Sequence, residues 1–203
     1  MSKLFKNTWF RCIAVLLTLS IVLGGTLAVL NDVLYVSPSE RTLRAVKKIY
    51  GQTVEYQTIL DVDDAERTDT SLVFVNENGD EIGSINKVYK VDSDTLFQVT
   101  GYNGYKGGTI TVWVKVIENS SGHKLIDKIV LESYTKQTLM SKLSSAFYSG
   151  FYIDITESYQ NGDFFTANSK EDGIKNPITG ATKSANAVVG AVNCVVKYVG
   201  GEV

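Results

Sequence analysis

The chain has 203 residues, of which 44% are hydrophobic, and it carries a formal net charge of −2 at pH 7. That length accommodates one medium-sized domain and a membrane anchor, and the balanced charge does not favour nucleic-acid binding. Cys12 and Cys194 lie in separate apolar runs without a C-x-x-C pattern, so zinc, iron–sulfur and thiol-redox sites lack ligands. The single histidine, His123, follows a glycine in a predicted turn, which favours a surface position over a catalytic one.

The N-terminal region contains a predicted membrane span. From Cys12 to Leu30 the chain has nineteen uncharged, mostly apolar residues, which as a helix extend ~28 Å, close to the thickness of a bilayer's hydrocarbon core. Residues typical of membrane interfaces flank this run, namely Lys3, Lys6, Trp9, Arg11 and Tyr35. A cleaved signal peptide is the alternative, but neither a small-x-small cleavage site nor a lipobox cysteine follows. We therefore expect a cytoplasmic tail at 1–11 and a retained transmembrane helix at 12–34.

The charges on the two sides of the span bear on its orientation. The basic residues of the short tail predict a cytoplasmic N-terminus. Further basic residues follow the span, at Arg41, Arg44, Lys47 and Lys48, but long domains cross membranes largely regardless of their charge. The sequence thus predicts a single-pass protein of the cell membrane whose main domain is extracytoplasmic.

Residues 35–70 are predicted to connect the span to the main domain. The stretch Ser37-Pro38-Ser39-Glu40 is a capping-box pattern with proline in the first helical turn. The predicted helix ends at Gly51, and its apolar face consists of Leu43, Val46, Ile49 and Tyr50. The acidic stretch Asp61–Thr70 lacks the glycine and the terminal glutamate of an EF-hand, so we interpret it as a solvated loop.

The main domain, residues 71–203, opens with strand patterns. Leu72–Val75 and Ile82–Val91, separated by Asn78-Gly79, predict a β-hairpin. Leu96–Thr100 predicts a further short strand. The stretch Gly101–Gly108 is a glycine-rich loop that lacks the spacing of a phosphate-binding P-loop.

Alternating and helical patterns follow this loop. Thr109–Ile117 alternates apolar and polar residues, as a half-buried strand does. Asn119–Gly122 predicts a turn, Lys124–Glu132 another strand, and Leu139–Phe151 has helical character. We therefore predict an α+β fold, in which a transmembrane helix precedes a twisted antiparallel sheet with packed helices.

The stretch from Asn176 to Val199 opens with an Asn-Pro turn and then predicts a helix. Apolar residues recur at the three- and four-residue steps of one buried helical face, at Ala181, Ala185, Val188, Val189, Val192, Val195, Val196 and Val199. Thr182 stands where an N-cap residue belongs. A helix start of this kind is a natural phosphate site because its first N–H groups are unpaired. An ordinary capped C-terminal helix accounts for the same pattern.

The start of this helix carries a family motif. The stretch Thr179-Gly180-Ala181-Thr182, followed by Lys183-Ser184 and a helix of small residues, resembles the flavinylation motif of the FMN-binding domain family. That family includes flavin-carrying subunits of the sodium-pumping NADH:quinone reductase (Nqr) and of the Rnf electron transport complex. In the family the last threonine carries FMN through a phosphoester bond, which corresponds to Thr182. An aspartate usually stands six residues earlier, where this chain has Asn176.

Two further segments bear on the resemblance. The stretch Gly101-Tyr102-Asn103-Gly104, followed by a β-branched strand, resembles a family segment that lies near the flavin. The resemblance implies that Tyr102 offers an aromatic face and that Gly104 permits close backbone approach. The nearest match to the family's Glu-Thr-Pro-Gly-Leu-Gly segment is Gln137-Thr138-Leu139, without the proline and glycines, and it makes Thr138 a candidate for flavin contact.

The resemblance implies a covalently bound FMN cofactor. Its candidate binding residues are Thr182, which would carry the phosphoester, and Thr179, Gly180, Ala181, Lys183, Tyr102, Gly104 and Thr138. The chain would be an electron-transfer subunit of an Rnf/Nqr-type ion-translocating oxidoreductase complex in the membrane. Its partners would be the other subunits and the flavin transferase that attaches the cofactor. Such a relay requires no catalytic acid or base and no metal ion.

Two alternatives remain open. A stand-alone anchored flavoprotein that passes electrons to an extracytoplasmic acceptor would carry the same motifs. A non-redox structural or binding domain that retained the fold and lost the flavin would account for Asn176 and for the altered segment Gln137-Thr138-Leu139.

Overall fold

A computed structural model of the chain describes residues 8–63, 72–160, 165–167, 174–176 and 181–201. The chain divides into two compact units, Met1–Thr42 and Leu43–Val203. Several sequence predictions lie outside the described residues: those for Lys3 and Lys6, for most of the acidic stretch, and for Thr179 and Gly180 of the flavinylation motif.

The first helix, α1, spans Thr8–Leu34. The most apolar 18-residue window within Arg11–Leu34 has a mean hydropathy of 2.5, and none of that window is buried within the chain. This helix is therefore long and apolar enough to cross a membrane, in agreement with the predicted span at 12–34. A signal sequence near an N-terminus has the same properties, so retention of the helix and its orientation stay predictions.

The second helix, α2, spans Pro38–Tyr50. The backbone N–H of Glu40 donates to Ser37 Oγ at 3.2 Å, which agrees with the predicted capping box. Gly51 has a φ of +76°, a left-handed conformation that glycine adopts readily, and it ends the helix as predicted.

Six strands form an antiparallel sheet. They are β1 (Gln57–Asp61), β2 (Leu72–Val75), β3 (Glu81–Val91), β4 (Asp94–Gly101), β5 (Ile110–Glu118) and β6 (Lys124–Tyr134). Strands β3 to β6 pair in chain order, while β2 pairs with the first half of β3 and β1 with its second half. The predicted hairpin and the predicted strands after it are confirmed. Strand β1 lies in the region predicted to be a connector, because its sequence, Gln-Thr-Ile-Leu-Asp, shows neither an apolar run nor an alternation of apolar and polar residues.

The C-terminal helix, α5 (Thr182–Gly200), covers one face of the sheet. Side chains with no exposed surface meet between them, including Val99, Val112, Val114, Val188, Val192 and Val195. A Cβ built on Gly101 would lie 1.6 Å from the carbonyl oxygen of Ala187, so this glycine permits the helix to contact the β4 backbone directly. The predicted apolar face of α5 is confirmed, since all of its members except the partly buried Val199 are buried.

The opposite face of the sheet carries a second apolar cluster. Tyr89, Leu96 and Trp113 pack there with Val46 and Ile49 of α2. The side chain of Trp113 is only 1% exposed, so β5 is buried on both faces at this point. The prediction of a half-buried strand is wrong there, because the residue pattern of one strand does not reveal that a distant helix covers its second face.

Short elements lie between β6 and α5. They are a 3₁₀ turn (Met140–Lys142), α3 (Ser145–Ser149), α4 (Ile155–Gln160) and the parallel pair β7 (Phe165–Ala167) and β8 (Ile174–Asn176). The helical character predicted between positions 139 and 151 is therefore interrupted. The side-chain amide of Asn193 in α5 holds β7, since it accepts from the N–H and donates to the carbonyl of Phe165, each at 3.0 Å. The whole arrangement confirms the predicted α+β class.

Candidate functional site

A cavity of about 340 Å³ lies beside the first turn of α5. The glycine-rich loop after β4 and the segment that follows β6 complete its walls. The residues of the described part of the chain that line it are Tyr105, Thr138, Leu139, Ala181, Thr182, Lys183 and Ser184. Four of the residues predicted from the sequence to bind the cofactor are among them. The fold thus brings Thr138 to the same cavity as Ala181, Thr182 and Lys183, although these residues lie far apart in the chain.

The first turn of α5 forms one wall. Thr182 is the first helical residue, and the cap position belongs to Ala181, whose side chain makes no capping hydrogen bond. The N-cap assignment of Thr182 is therefore wrong by one residue, because apolar periodicity does not distinguish adjacent starting points. The first bond inside the helix runs from the N–H of Ala185 to the carbonyl of Ala181 at 2.9 Å. Thr182 and Lys183 are exposed, and the N–H groups before Ala185 have no carbonyl within the helix.

The side chain of Gln137 links the walls of the cavity and was not among the predicted site residues. Its Oε1 accepts from Ser184 Oγ at 2.7 Å and from the backbone N–H of Tyr105 at 3.1 Å. Its Nε2 donates to the carbonyl of Thr135 at 2.9 Å. A glutamine that is only 8% exposed thereby joins the start of α5, the glycine-rich loop and the end of β6.

The glycine-rich loop presents Tyr105, not Tyr102, to the cavity. The hydroxyl of Tyr102 donates to Ser84 Oγ at 2.9 Å, and this tyrosine does not line the cavity. Gly104 does not line it either. A Cβ on Gly104 would lie 2.6 Å from Nε2 of Gln137, so its lack of a side chain permits contact within the protein. The proposed flavin contacts of Tyr102 and Gly104 stay predictions.

A charged cluster, in which buried Lys87 contacts two aspartates, lies where β1 pairs with β3 and does not line this cavity. Lys87 is 2% exposed, and its Nζ lies 3.0 Å from Asp61 Oδ1 and 2.8 Å from Asp63 Oδ2. Burial acts to lower the pKa of Lys87, but its hydrogen bonds with both carboxylates outweigh burial and raise it above the ordinary value. Burial likewise acts to raise the pKa of Asp61, but hydrogen bonds from Tyr89 and Lys87 lower it. This cluster connects β1 to β3 and stabilises the sheet.

The single histidine lies on the loop before β6. Its Nδ1 is 2.7 Å from Asp154 Oδ2, and the histidine side chain is 47% exposed. Burial acts to raise the pKa of Asp154, but hydrogen bonds from the N–H of Glu157 and from His123 lower it. The predicted surface position of His123 is confirmed, and the pair does not line the cavity beside α5.

The remaining feature of the site is its capacity to bind a metal ion. Within the described part of the chain, no group of three or more histidine, cysteine or acidic side chains is placed to hold a metal ion. Both cysteines are free, Cys12 being exposed and Cys194 buried.

No model of a known protein family matches this chain, and neither a curated protein nor a solved structure matches it.

Proposed function

We propose that the chain is a membrane-anchored electron-transfer flavoprotein that carries FMN through a phosphoester bond to Thr182. In this proposal it serves as a subunit of an Rnf/Nqr-type ion-translocating complex. The observation that supports it best is the cavity, because Thr182, Lys183 and Thr138 line one space together with an aromatic ring, that of Tyr105. Thr182 and Lys183 belong to the segment that resembles the flavinylation motif of the FMN-binding domain family. Thr138 belongs to the segment whose sequence is the nearest match to another motif of that family.

The first turn of α5 fits the phosphate of the proposed cofactor. Thr182 is exposed, so a flavin transferase can reach its hydroxyl. Backbone N–H groups at a helix start stabilise a phosphate through hydrogen bonds and through the positive end of the helix dipole. Lys183, also exposed beside them, adds an opposite charge. The cavity volume lies within the range of small-molecule sites, roughly 300–1,000 Å³.

The opposite wall fits a flat apolar ring system. Tyr105 and Leu139 are 36% and 44% exposed, which leaves apolar surface available for a ligand. Thr138 also lines the cavity and adds a hydroxyl to it. When bound, FMN supplies the electron chemistry, while the protein supplies attachment, orientation and electrostatic environment. Electron transfer requires no acid or base from the chain, and a covalent bond prevents loss of the cofactor outside the cell.

The anchor and the partners follow from the same proposal. Helix α1 holds the domain at the membrane, where it meets the other subunits of the complex and the transferase. The N-terminal tail is cytoplasmic and the flavin domain extracytoplasmic. A stand-alone anchored flavoprotein would have the same site and would lack the partner subunits. Co-purification of this chain with the products of neighbouring genes distinguishes these two forms.

One observation favours a non-redox domain as the second candidate. Gln137 and Ser184 bond to each other at 2.7 Å, so these polar groups of the cavity region are satisfied without a ligand. The asparagine at position 176, where the family has aspartate, is consistent with loss of modification. A structural or binding domain of this kind would keep the cavity and carry no flavin.

The test is the intact mass of the full chain expressed in membranes together with a flavin transferase. We expect a mass gain equal to FMN minus water, with flavin fluorescence of the protein band. A Thr182→Val variant, which keeps the side-chain volume and lacks the hydroxyl, should show neither. A Thr53→Val variant, at an exposed threonine outside the cavity lining, serves as the control and should be modified. An unmodified wild-type chain would refute the covalent carrier and favour the non-redox domain.

A further inference from the structure

The polar contacts of Gln137 are concentrated at the cavity. Oε1 accepts two hydrogen bonds, from Ser184 Oγ and from the N–H of Tyr105, and Nε2 donates to the carbonyl of Thr135. The partners lie 47, 32 and 2 positions away along the chain. One side chain therefore joins three segments, two of which, the loop and the end of β6, are also linked by hydrogen bonds between Thr109 and Thr135.

The backbone of the glycine-rich loop packs directly onto this amide. A Cβ built on Gly104 or on Gly108 would lie 2.6 Å from Nε2 of Gln137, closer than real Cβ atoms approach other heavy atoms. The loop thus reaches the amide only because both positions are glycine. Lys106 and Gly107, between them, have φ values of +52° and +67°, so the backbone next to Tyr105 is left-handed.

We infer that Gln137 is a positioning residue that holds the Tyr105 ring and the Thr182 hydroxyl on opposite walls of one cavity. Tyr105 is held through its own backbone N–H, and Thr182 through Ser184, two residues later in the first turn of α5. Gln137 is absent from the cavity lining, so it acts through its neighbours and does not touch a ligand. The inference rests on the proposed function only where the ligand is taken to be FMN.

Gln137 is separate from the residues that hold the domain together. The sheet and α5 are joined by the apolar core and by the close backbone contacts of Gly101 with Ala187 and of Gly190 with Ile82, none of which involves the amide of Gln137. Loss of the amide should therefore change the cavity and leave the core in place. Gln98 offers a matched control, because it is also a buried glutamine, 9% exposed. Its Nε2 donates a hydrogen bond of 2.6 Å to Glu132, and neither residue lines the cavity.

The first measurement needs no cofactor. In the full-length chain in detergent, hydrogen exchange of the backbone amide of Tyr105 reports its bond to Gln137. We expect Gln137→Leu to accelerate this exchange about tenfold, which is the effect of losing one hydrogen bond of ordinary strength. Gln98→Leu should leave it unchanged. Gln137→Glu, whose carboxylate oxygen still accepts from the Tyr105 N–H, should restore most of the protection.

The second measurement uses the flavin. In the presence of transferase, Gln137→Leu should reduce the initial rate of FMN attachment about tenfold. It should also reduce the visible circular dichroism of the attached flavin, which depends on how the ring lies relative to the protein and not on stability. Gln98→Leu should retain the wild-type rate and signal even if its unfolding temperature falls.

The outcomes separate this inference from the proposed function. Unchanged Tyr105 exchange in Gln137→Leu overturns the inference, whether or not FMN is attached. Accelerated exchange with a wild-type attachment rate and dichroism also overturns it, because the cavity would then not depend on the amide. If the wild type takes no FMN, the proposed function fails, and accelerated exchange at Tyr105 alone still supports the positioning role.

Discussion

Replacement of Gly101 by alanine tests the close contact between α5 and the sheet. The added Cβ would lie 1.6 Å from the carbonyl oxygen of Ala187, 2.6 Å from its carbonyl carbon and 3.1 Å from the N of Ala191. All three are backbone atoms, which cannot rotate away as a side chain can. Since real Cβ atoms essentially never approach within 3.0 Å, helix and strand must separate by about 3.0 − 1.6 = 1.4 Å along that direction.

The cost follows from the packing around the contact. Ala187 and Ala191 have no exposed surface, and a gap of 0.5–1 Å already loses roughly a quarter to a half of a van der Waals contact energy. Overpacking of a core costs about 1–3 kcal/mol, occasionally more. We expect the upper end, ~3 kcal/mol, because a whole helix has to move. For a chain of this size that lowers the unfolding temperature by roughly 6–12 °C.

Thermal unfolding of the full-length chain in detergent, followed by near-ultraviolet circular dichroism, measures this loss. Gly190→Ala, whose Cβ would lie 2.5 Å from the carbonyl oxygen of Ile82, should give a smaller loss. Gly24→Ala, with no atom within 4 Å of its Cβ, should change stability by less than about 0.5 kcal/mol. A Gly101→Ala protein that unfolds at the wild-type temperature but takes up no FMN would refute the packing explanation. Approach of the loop to the flavin would then be the reason for glycine.

Three further predictions concern stability. Lys87→Met should destabilise the domain by about 3 kcal/mol in denaturant titrations, because it leaves Asp61 partly buried without its cation, and retention of wild-type stability would contradict this. The pKa of Asp61 is lowered by folding, so its contribution is present above the unfolded value of about 4 and is lost as the pH falls below it. Stability of Asp61→Asn should therefore depend less on pH below 4 than that of the wild type, and equal slopes would exclude Asp61 as the cause. Asn193→Ala removes both hydrogen bonds to Phe165 and should cost about 2 kcal/mol, with faster hydrogen exchange at Phe165, whereas unchanged exchange would show that other contacts hold β7.

Elements with a long local pattern were predicted from the sequence. The hairpin of β2 and β3 is marked by the apolar run Leu72–Val75 and the turn residues Asn78-Gly79, and the buried face of α5 by its three- and four-residue spacing. Both patterns arise because one side of each element packs against the core. The position of a residue within its strand or helix then decides whether it faces the core and is apolar. Their boundaries were less accurate, as the shift of the α5 cap from Thr182 to Ala181 demonstrates.

Residues whose role depends on distant neighbours were not predicted. Gln137 lies in a segment without periodicity, and its partners Tyr105 and Ser184 are 32 and 47 positions away. Tyr102 and Tyr105 are both tyrosines of one glycine-rich loop, and only the conformation of that loop determines which of them lines the cavity. Strand β1 was missed because its five residues pair with β3 over a long separation in the chain.

The sequence by itself determined that this protein has an apolar helix long enough to span a membrane and an α+β domain, since both follow from composition and from the period of apolar residues. It also identified Thr138, Thr182 and Lys183 as candidates for one site. The tertiary structure decided that these residues share a cavity, that Tyr105 supplies its aromatic wall and that Gln137 joins its sides. It further decided that Gly101 serves the contact with α5. Each of these depends on distances between segments remote in the chain, which only the packing of α5 against the sheet establishes.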